Sequence, residues 1–549
     1  MAIVGGGMYG LFAAWDAALR GLSVALLEKD DFGAATTANS LRVIHGGLRY
    51  LQHGDIRRMR QSIIERTNLI RMAPHLIKPV PFLIPTYGRG MRSKPMLSLA
   101  LRIHALVGLD RNRDTDAANR LPGSYSISRK ECLGLFPGIE SDGLTGASIY
   151  YDAILQDSER LTASVMRSAS SAGADLANYA QVTGFTIDAG RIAAIQAVDA
   201  DTGHSFEVKA KVLLNTAGPW VDKIIGMAGE SSTRQRVPLS KAFNLKVRQE
   251  ITTDYAFGVY SKDEFSDDDA IINKGSRMIF ITPCPAGSII GTEHLPFSGD
   301  PDDLEITEDE ILGFLSELNA AYPPAKVRRE DVVRVYGGLL PAEGGSTRHV
   351  NLAKHHSLID HNKAGGPENL ISVVGVKLTE SRYVAEKAID MVQGKLGVSG
   401  SECLTARSCL SGGSEDGGIG AGDGSGAGRI SQPARDSLVQ AYGSAFLEVL
   451  RYLPEGQNGL PGQSEADAIF EARVRHSIRH EMARTISDVV DRRVAQGQFP
   501  TSARTRIAAN ILAEELGWDD TKISAELAGI SGARTSEEVP APVGTGKVL

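Results

Sequence analysis

The sequence predicts an α/β chain in three parts. These are a doubly wound nucleotide-type domain interrupted along the chain, an α+β domain built on an antiparallel sheet, and a helical C-terminal domain. Three observations predict it. Ala2-Ile3-Val4 is a short apolar run followed at once by Gly5-Gly6-Gly7-Met8-Tyr9-Gly10 and an alanine-rich helical pattern. Between 236 and 350, strand-like runs surround one acidic helix near 307–320. After a glycine- and serine-rich stretch at 411–428 the pattern turns helical. At 549 residues the chain is too long for one ordinary core, so two or three domains are expected.

The opening segment has the order that a dinucleotide site requires. Gly5 allows a tight turn, Gly7 lets backbone approach a pyrophosphate, and Gly10 lets the helix pack close to the strand. The helix N-terminus offers free N–H groups and its positive dipole end to phosphates. A second apolar run, Val24 to Leu27, ends at Glu28, placed to accept bonds from ribose hydroxyls. The plainer alternative is a helix that merely begins with glycines. The motif alone does not separate NAD from FAD.

Small hydroxyl residues then lead into His45-Gly46-Gly47, a segment able to lie flat against a planar ligand. His45 is either a proton acceptor near neutral pH or a surface-loop histidine. Residues 55–72 predict an amphipathic helix, with Ile56, Met59, Ile63 and Ile70 on one face and Arg57, Arg58, Arg60, Arg66 and Arg71 on a solvated remainder; a membrane surface is the other reading. Pro74 ends it, and Pro79 to Pro85 reads as extended. Leu213 to Trp220 is a buried strand ending in small residues, with Pro219 opening a helix. Asn369 to Lys377 returns to a buried strand, followed by Leu378-Thr379 and an amphipathic helix. Near the end, Val474, Ile478, Met482, Ile486 and Val489 make a stripe of period near four, flanked by arginines; a bundle core is one reading and a partner or membrane surface the other.

Composition bounds the rest. The hydrophobic fraction of 42% and charged fraction of 23% are those of a soluble globular protein, and a net charge of −7 argues against a nucleic-acid partner. No apolar run reaches spanning length, and with a glycine motif at residue 5 neither a spanning helix nor a cleavable leader is expected. Cys132, Cys284, Cys403 and Cys409 lack metal-site or disulfide spacing, so reduced thiols and no metal are expected.

Taken together the chain resembles the FAD-dependent glycerol-3-phosphate dehydrogenase family over nearly its whole length. The resemblance is carried by Gly5 to Gly10 with Glu28, Ile44-His45-Gly46-Gly47-Leu48-Arg49-Tyr50-Leu51, Ala73-Pro74-His75-Leu76, and Pro81 to Pro85. It continues through Asn215 to Asp222, Ile290-Gly291-Thr292, Gly299-Asp300-Pro301, Lys377-Leu378-Thr379, and Glu481 to Thr485. It implies a discontinuous Rossmann-like FAD domain at 1–78, 150–235 and 351–410, and an antiparallel-sheet substrate domain at 79–149 and 236–350. A Gly-rich linker at 411–430, a helical domain at 431–534 and a disordered tail at 535–549 complete this division.

The resemblance further implies oxidation of sn-glycerol 3-phosphate to dihydroxyacetone phosphate, with electrons passing to quinone or oxygen. FAD contacts fall on Gly5, Gly7, Gly10, Glu28, Thr36, Ser40, His45, Gly46, Gly47, Ala217, Gly218, Trp220, Lys377, Leu378 and Thr379. His45 is the expected base, with Arg49, Arg348 and Lys377 supplying positive charge. Arg49, Tyr50, Asn244, Leu340 and Arg348 are expected around the substrate. A cytoplasmic protein is implied, with peripheral contact to the inner face of the cell membrane and a homodimer as further expectations. Four positions depart from the family pattern. Leu340 stands where an arginine is usual, Asn244 where a histidine is, Val376 where a glycine is, and Glu293-His294 where a Thr-Asp pair is. Losing a guanidinium from a desolvated phosphate clamp removes a bidentate donor. A family member re-aimed at another hydroxy, polyol-phosphate or amine substrate is therefore the alternative. A flavoprotein that binds without turnover is a third reading, and an NAD-dependent enzyme a minor one.

Overall fold

Ala2–Val4 is a wholly buried strand, with the helix Met8–Leu19 against it and Ala2 and Val4 in one core with Val182, Ile192 and Ile195, and it lies at the middle of a six-stranded sheet. The order across that sheet is 357–360, 370–374, 213–215, 2–4, 25–27 and 175–177. All neighbours are parallel except the first pair. The computed structural model describes residues 1–534 apart from 89, 91, 230–236, 263–276, 346–349, 399, 414–429, 454–463 and 495–500. The first helix, α1 (Met8–Leu19), packs against the helices Ser158–Ser171 and Ser381–Leu396. Its approach to the sheet depends on Gly10: a Cβ there would come within 2.0 Å of the Gly5 carbonyl oxygen and 2.7 Å of Thr216 Oγ1. That hydroxyl in turn donates to the Gly5 carbonyl at 2.8 Å, which ties the turn to the strand end at 213–215.

A three-stranded antiparallel sheet (180–188, 191–199, 205–209) shares a core with the inner strands of this layer, through Val182, Ile192 and Ile195 with Ala2, Val4, Leu213 and Leu370. The second large sheet has ten strands, running 350–352, 332–345, 239–247, 287–297, 278–284, 256–260, 77–87, 144–155 and 43–44, with 125–128 paired to 144–155. It is antiparallel apart from one parallel pair, 256–260 on 77–87. The acidic helix Glu308–Ala321 packs Phe314, Leu315 and Leu318 onto Phe243, Ile281 and Ile290. Strands Val43–Ile44 and Leu144–Leu155 belong to this sheet, although they begin in or run into stretches expected in the nucleotide domain. Alternating burial cannot say which sheet a strand joins, so the boundaries at 78/79 and 149/150 do not coincide with the sheets.

By contacts the chain divides into two units, Met1–Ser425 with Ser431–Leu447, and Gly426–Ile430 with Glu448–Leu549. The helix Gln432–Tyr442 therefore belongs to the first unit, and the helical unit starts later than residue 431. Within the second unit, Phe470, Val474, Ile486, Val489, Val490, Ala508 and Leu512 form a bundle core. The period-four stripe is not one helix. Glu465–Glu481 stops at Met482, whose φ of 57° is left-handed. The buried Arg493 guanidinium donates to the Glu481 carbonyl at 3.0 and 3.2 Å, which satisfies the helix end. Most of the expected linker, 414–429, and the tail 535–549 lie outside the described residues.

The helix α2 (Ile56–Met72) forms where amphipathic spacing predicts it, capped by Asp55, which accepts from the Arg58 N–H at 2.9 Å. Its arginines are not all solvated. Arg66 is fully buried against Asp152, and the buried Glu65 accepts two 2.7 Å bonds from Arg382. Pattern reading sorts arginines outward by default, and here a buried acid on a distant strand holds one inside. The next helix, α3 (Lys94–Val107), behaves in the opposite way. It exposes Met96, Leu99, Ile103 and Leu106, with Leu109 just beyond. Among the described residues no helix is long and apolar enough to cross a membrane.

Candidate active site

At the start of α1 the N-cap is Gly7, in extended backbone and with no side chain to cap, and the Met8 N–H donates to Thr37 Oγ1 at 3.2 Å. Glu28, at the next strand end, accepts from the Gly6 N–H at 2.6 Å and the Asp30 N–H at 2.9 Å. Burial pushes its carboxyl up to about 7, against the lowering effect of those two N–H groups. Beside it, Lys29 lies 4.1 Å over the Trp220 ring, and Trp220 Nε1 donates to Asp302 at 2.7 Å. Ala217 and Gly218 follow strand 213–215. The loop carrying Thr36 and Ser40 is fastened to the second sheet, since Thr36 Oγ1 donates to the Leu339 carbonyl at 3.1 Å. Ser40 Oγ accepts from the Arg42 N–H at 3.2 Å.

Tyr9, inside the glycine motif, grips the far end of the same sheet. Its hydroxyl donates to the Lys377 carbonyl at 2.7 Å and accepts the Lys377 N–H at 3.0 Å. Leu378 and Thr379 continue directly as a 3₁₀ turn, so the sequence-distant Lys377 stands next to the turn. Its ammonium bonds the Tyr50 hydroxyl and sits 4.2 Å from the centre of that ring. Burial, then Arg49 and Arg58, push Lys377 well below the usual lysine value, while Glu380 opposes them.

His45 stands on the short strand end at Ile44 and meets Tyr50 edge-to-face, ring centres 5.9 Å apart. Its loop is held from behind. The Gly46 N–H donates to Asp152 at 2.7 Å, Asp152 pairs with buried Arg66, and His104 Nε2 lies 3.1 Å from the Gly46 carbonyl. Gly46 is required by this close approach, because a Cβ would come within 2.3 Å of Arg66 Nη1. His45 Nδ1 is buried with no hydrogen-bond partner. Burial first, then Lys377, Arg49, Arg58 and Arg66, push the imidazole well below its ordinary value, so it stays neutral.

The structure thus brings together His45, Gly46, Gly47, Arg49, Tyr50 and Lys377. Asn244 is engaged otherwise: its Nδ2 donates to the Asn39 carbonyl at 3.1 Å and its Oδ1 accepts from Thr292 at 2.8 Å. Leu340 lies half-buried in register with Ser240 in the second sheet. Glu293 forms a bidentate pair with Arg277 at 2.9 Å, which accounts for an acid there. Arg348 lies outside the described residues. Sequence reasoning gave no role to Asp152, Arg66, His104, Arg58 and Glu380. Asp152 alone had a signal, a charged residue inside the apolar run of its strand. Among the described residues no group of side chains suits a metal ion.

The turn fits a bound dinucleotide because Gly5 and Gly10 pack directly on backbone and Gly7, at the N-cap of α1, carries no side chain that would stand between the helix start and a phosphate. Residues 1–377 match the family model described as FAD dependent oxidoreductase, and 403–523 match the C-terminal domain of alpha-glycerophosphate oxidase. The chain is 30% identical to a glycerol-3-phosphate dehydrogenase of Synechocystis, covering 94% of this chain and 92% of that protein. It is likewise 30% identical to glycerol-3-phosphate dehydrogenase 1 of Mycobacterium tuberculosis, covering 92% and 93%. The fold is similar to that of the glycerol-3-phosphate dehydrogenase from Bacillus halodurans complexed with FAD, with a TM-score of 0.73 at 24% identity over 97% of this chain and 93% of that one. Fold and site define an FAD-dependent oxidoreductase, an enzyme whose cofactor is FAD and which takes a small-molecule substrate and an electron acceptor. The chain belongs to the glycerol-3-phosphate dehydrogenase family of flavoproteins.

Proposed function

We propose that this enzyme oxidises sn-glycerol 3-phosphate to dihydroxyacetone phosphate and passes the electrons to quinone or oxygen. Bound FAD supplies the acceptor for the hydride that leaves the substrate carbinol. The observation that carries the reading is the meeting of His45, Tyr50 and Lys377 at the end of the nucleotide sheet, with Arg49 and Arg58 beside them. His45, neutral and with its Nδ1 open, accepts the hydroxyl proton. Lys377 and Arg49 stabilise the oxygen as it gains negative charge, and the Tyr50 hydroxyl orients Lys377. The FAD contacts lie on Gly5, Gly7, Gly10, Glu28, Thr36, Ser40, the His45–Gly47 loop, Ala217 to Trp220 and Lys377 to Thr379. In this reading the six-stranded sheet is the cofactor part and the ten-stranded sheet the substrate part. Anaerobic addition of glycerol 3-phosphate to holoenzyme should bleach the flavin; an unbleached spectrum sinks the proposal.

A second reading is favoured by Leu340 and by the engagement of Asn244 with Thr292 and Asn39. On it, the enzyme takes another hydroxy, polyol-phosphate or amine substrate. The same bleaching test, run with a panel of phosphorylated and plain alcohols and amines, decides between the two.

Peripheral membrane contact, if the acceptor is a quinone, we assign to α3 and not to α2, which is packed on both sides. Met96, Leu99, Ile103, Leu106 and Leu109 are between 36% and 77% exposed, and α3 has no acidic residue. Co-sedimentation with anionic vesicles should be lost in Leu99→Glu with Leu106→Glu. If that variant instead splits a dimer and vesicles are never bound, the stripe is a homodimer contact.

A further inference from the structure

The loop after the strand Gly287–Phe297 carries Gly299-Asp300-Pro301-Asp302, and it leaves its own sheet to bond with the nucleotide sheet. Pro301–Asp303 is a short 3₁₀ turn, shaped by the Asp300 carboxylate, which accepts the Asp302 N–H at 2.9 Å. Beyond the turn the chain is pinned back to the ten-stranded sheet, where Lys241 Nζ donates to the Glu305 carbonyl at 2.9 Å. The Asp302 carboxylate collects three donors. Lys29 Nζ and Trp220 Nε1 each donate to Oδ1 at 2.7 Å, and Lys223 Nζ donates to Oδ2 at 2.5 Å. Lys223 also pairs with Asp300 at 2.6 Å, and Lys29 lies over the Trp220 ring. Burial opposes the charge, yet the bonds from Lys223, Lys29 and Trp220 hold the Asp302 carboxyl well below the usual carboxylate range. Its side chain is still 48% exposed, so solvent and salt reach the cluster.

The origin of the donors gives the cluster its meaning. Lys29 follows strand 25–27, and Trp220 and Lys223 follow strand 213–215. Strand 2–4, which runs into the glycine turn, lies between those two strands and parallel to both. One carboxylate from the other sheet thus ties together the carboxyl ends of the two strands that flank the turn. In an open α/β sheet a nucleotide lies across those ends, with its ribose at the acid after the second strand, here Glu28, the neighbour of Lys29. An ion pair within either layer would leave that crevice open, whereas these bonds span it from one flank to the other. We propose that Asp302 is a latch for the cofactor: its bonds to Lys29, Trp220 and Lys223 close the crevice over the adenosine half of FAD, and FAD leaves only after they break. This role rests on the FAD contacts proposed at Glu28 and Trp220 and not on the choice of substrate. Exposed charge pairs are individually weak and are screened by salt, so the latch sets how fast FAD escapes and makes that rate salt-dependent.

The test follows release of FAD from holoenzyme by the rise in flavin fluorescence on dilution, without turnover. Asp302→Ala should speed release about threefold to tenfold at low salt, the range for two or three exposed charged contacts in one network. Asp302→Asn, which keeps an acceptor for Trp220 and loses the charge, should fall between Asp302→Ala and wild type. Lys29→Met and Lys223→Met should each give a smaller increase than Asp302→Ala. High salt should speed release from wild type and leave Asp302→Ala nearly unchanged, so that the two converge. Thermal melts of the two apoproteins should stay close together, which a loop that merely stiffens the fold would not give. Equal release rates in wild type and Asp302→Ala overturn the latch, as does an increase of the same size at low and high salt. Glu28→Ala, at the proposed ribose contact, should loosen FAD at every salt concentration. If Glu28→Ala loosens FAD and Asp302→Ala does not, the latch is overturned; if only Asp302→Ala loosens it, the latch stands and the Glu28 contact fails.

Discussion

The glycine turn and the His45 loop lie in the same unit and are held by opposite means. The turn is held mostly through backbone: Gly5 and Gly10 pack on backbone, the Thr216 hydroxyl donates to the Gly5 carbonyl, and the Glu28 carboxyl accepts the Gly6 N–H. The His45 loop is held from afar, by a buried Arg66–Asp152 pair and by His104, on two helices and a strand that the local sequence does not suggest. A backbone cradle tolerates no added atom but needs no partner. A loop hung on a buried ion pair tolerates small changes in place, but losing one partner strands the other charge. The first arrangement suits a cofactor site. The second gives a reactive loop a rigid support that can be altered without touching the cofactor.

This contrast can be broken at several points, the largest effect first. Gly10→Val drives side-chain carbons into the Gly5 carbonyl, so the purified protein should carry no flavin; a variant that stays yellow removes the close-packing account of the turn. His45→Asn should keep flavin and lose about a hundredfold to ten-thousandfold in kcat, the span for a general base. Its wild-type pH profile should show no inflection at the ordinary histidine value of about 6.5, because burial and four cations hold the imidazole neutral. Asp152→Ala leaves Arg66 buried and unpaired and should cost about 3 kcal/mol in a denaturant midpoint while flavin binding persists. Adding Arg66→Met should restore part of that loss; two additive losses would show that the pair does not act as a pair.

The smallest effect concerns Glu28. Its folded value, about 7, lies above the unfolded carboxylate value. Between the two the folded chain binds more protons, so the stability contribution is whole below about pH 4.3 and is lost as pH rises towards the folded value. The stability of Glu28→Gln apoprotein relative to wild type should therefore rise across that window in paired thermal melts. A difference that stays flat with pH would show that Glu28 is not held in a desolvated setting.

What the sequence made legible follows the same division. The turn, Glu28 and the strand at 213–215 declare themselves because every contact they need involves glycine, small residues or neighbouring backbone. His45, Tyr50 and Lys377 were visible as family motifs, yet their meeting depends on Tyr9 reaching across the sheet. Arg58 and Arg66 were read as solvent-facing, since helical periodicity counts positions and cannot see a cavity or a buried carboxylate. The boundary expected at 149/150 falls inside strand 144–155 for a similar reason: its pairing with 43–44 and 77–87 is not written in its own residues. Met482 breaks a stripe whose spacing continues through the break, so periodicity alone reads one helix where there are two segments.

The Tyr9 hydroxyl has one more consequence, for how such an enzyme changes over generations. Because it clasps both backbone groups of Lys377, the lysine and the cofactor turn move as one piece of masonry, laid down within a single sheet. Leu340, Asn244 and Glu293 ride on the other sheet. On the proposed function, mutation can rewrite that second layer, exchanging one substrate for another, while the spacing between Lys377 and the glycine turn is inherited intact.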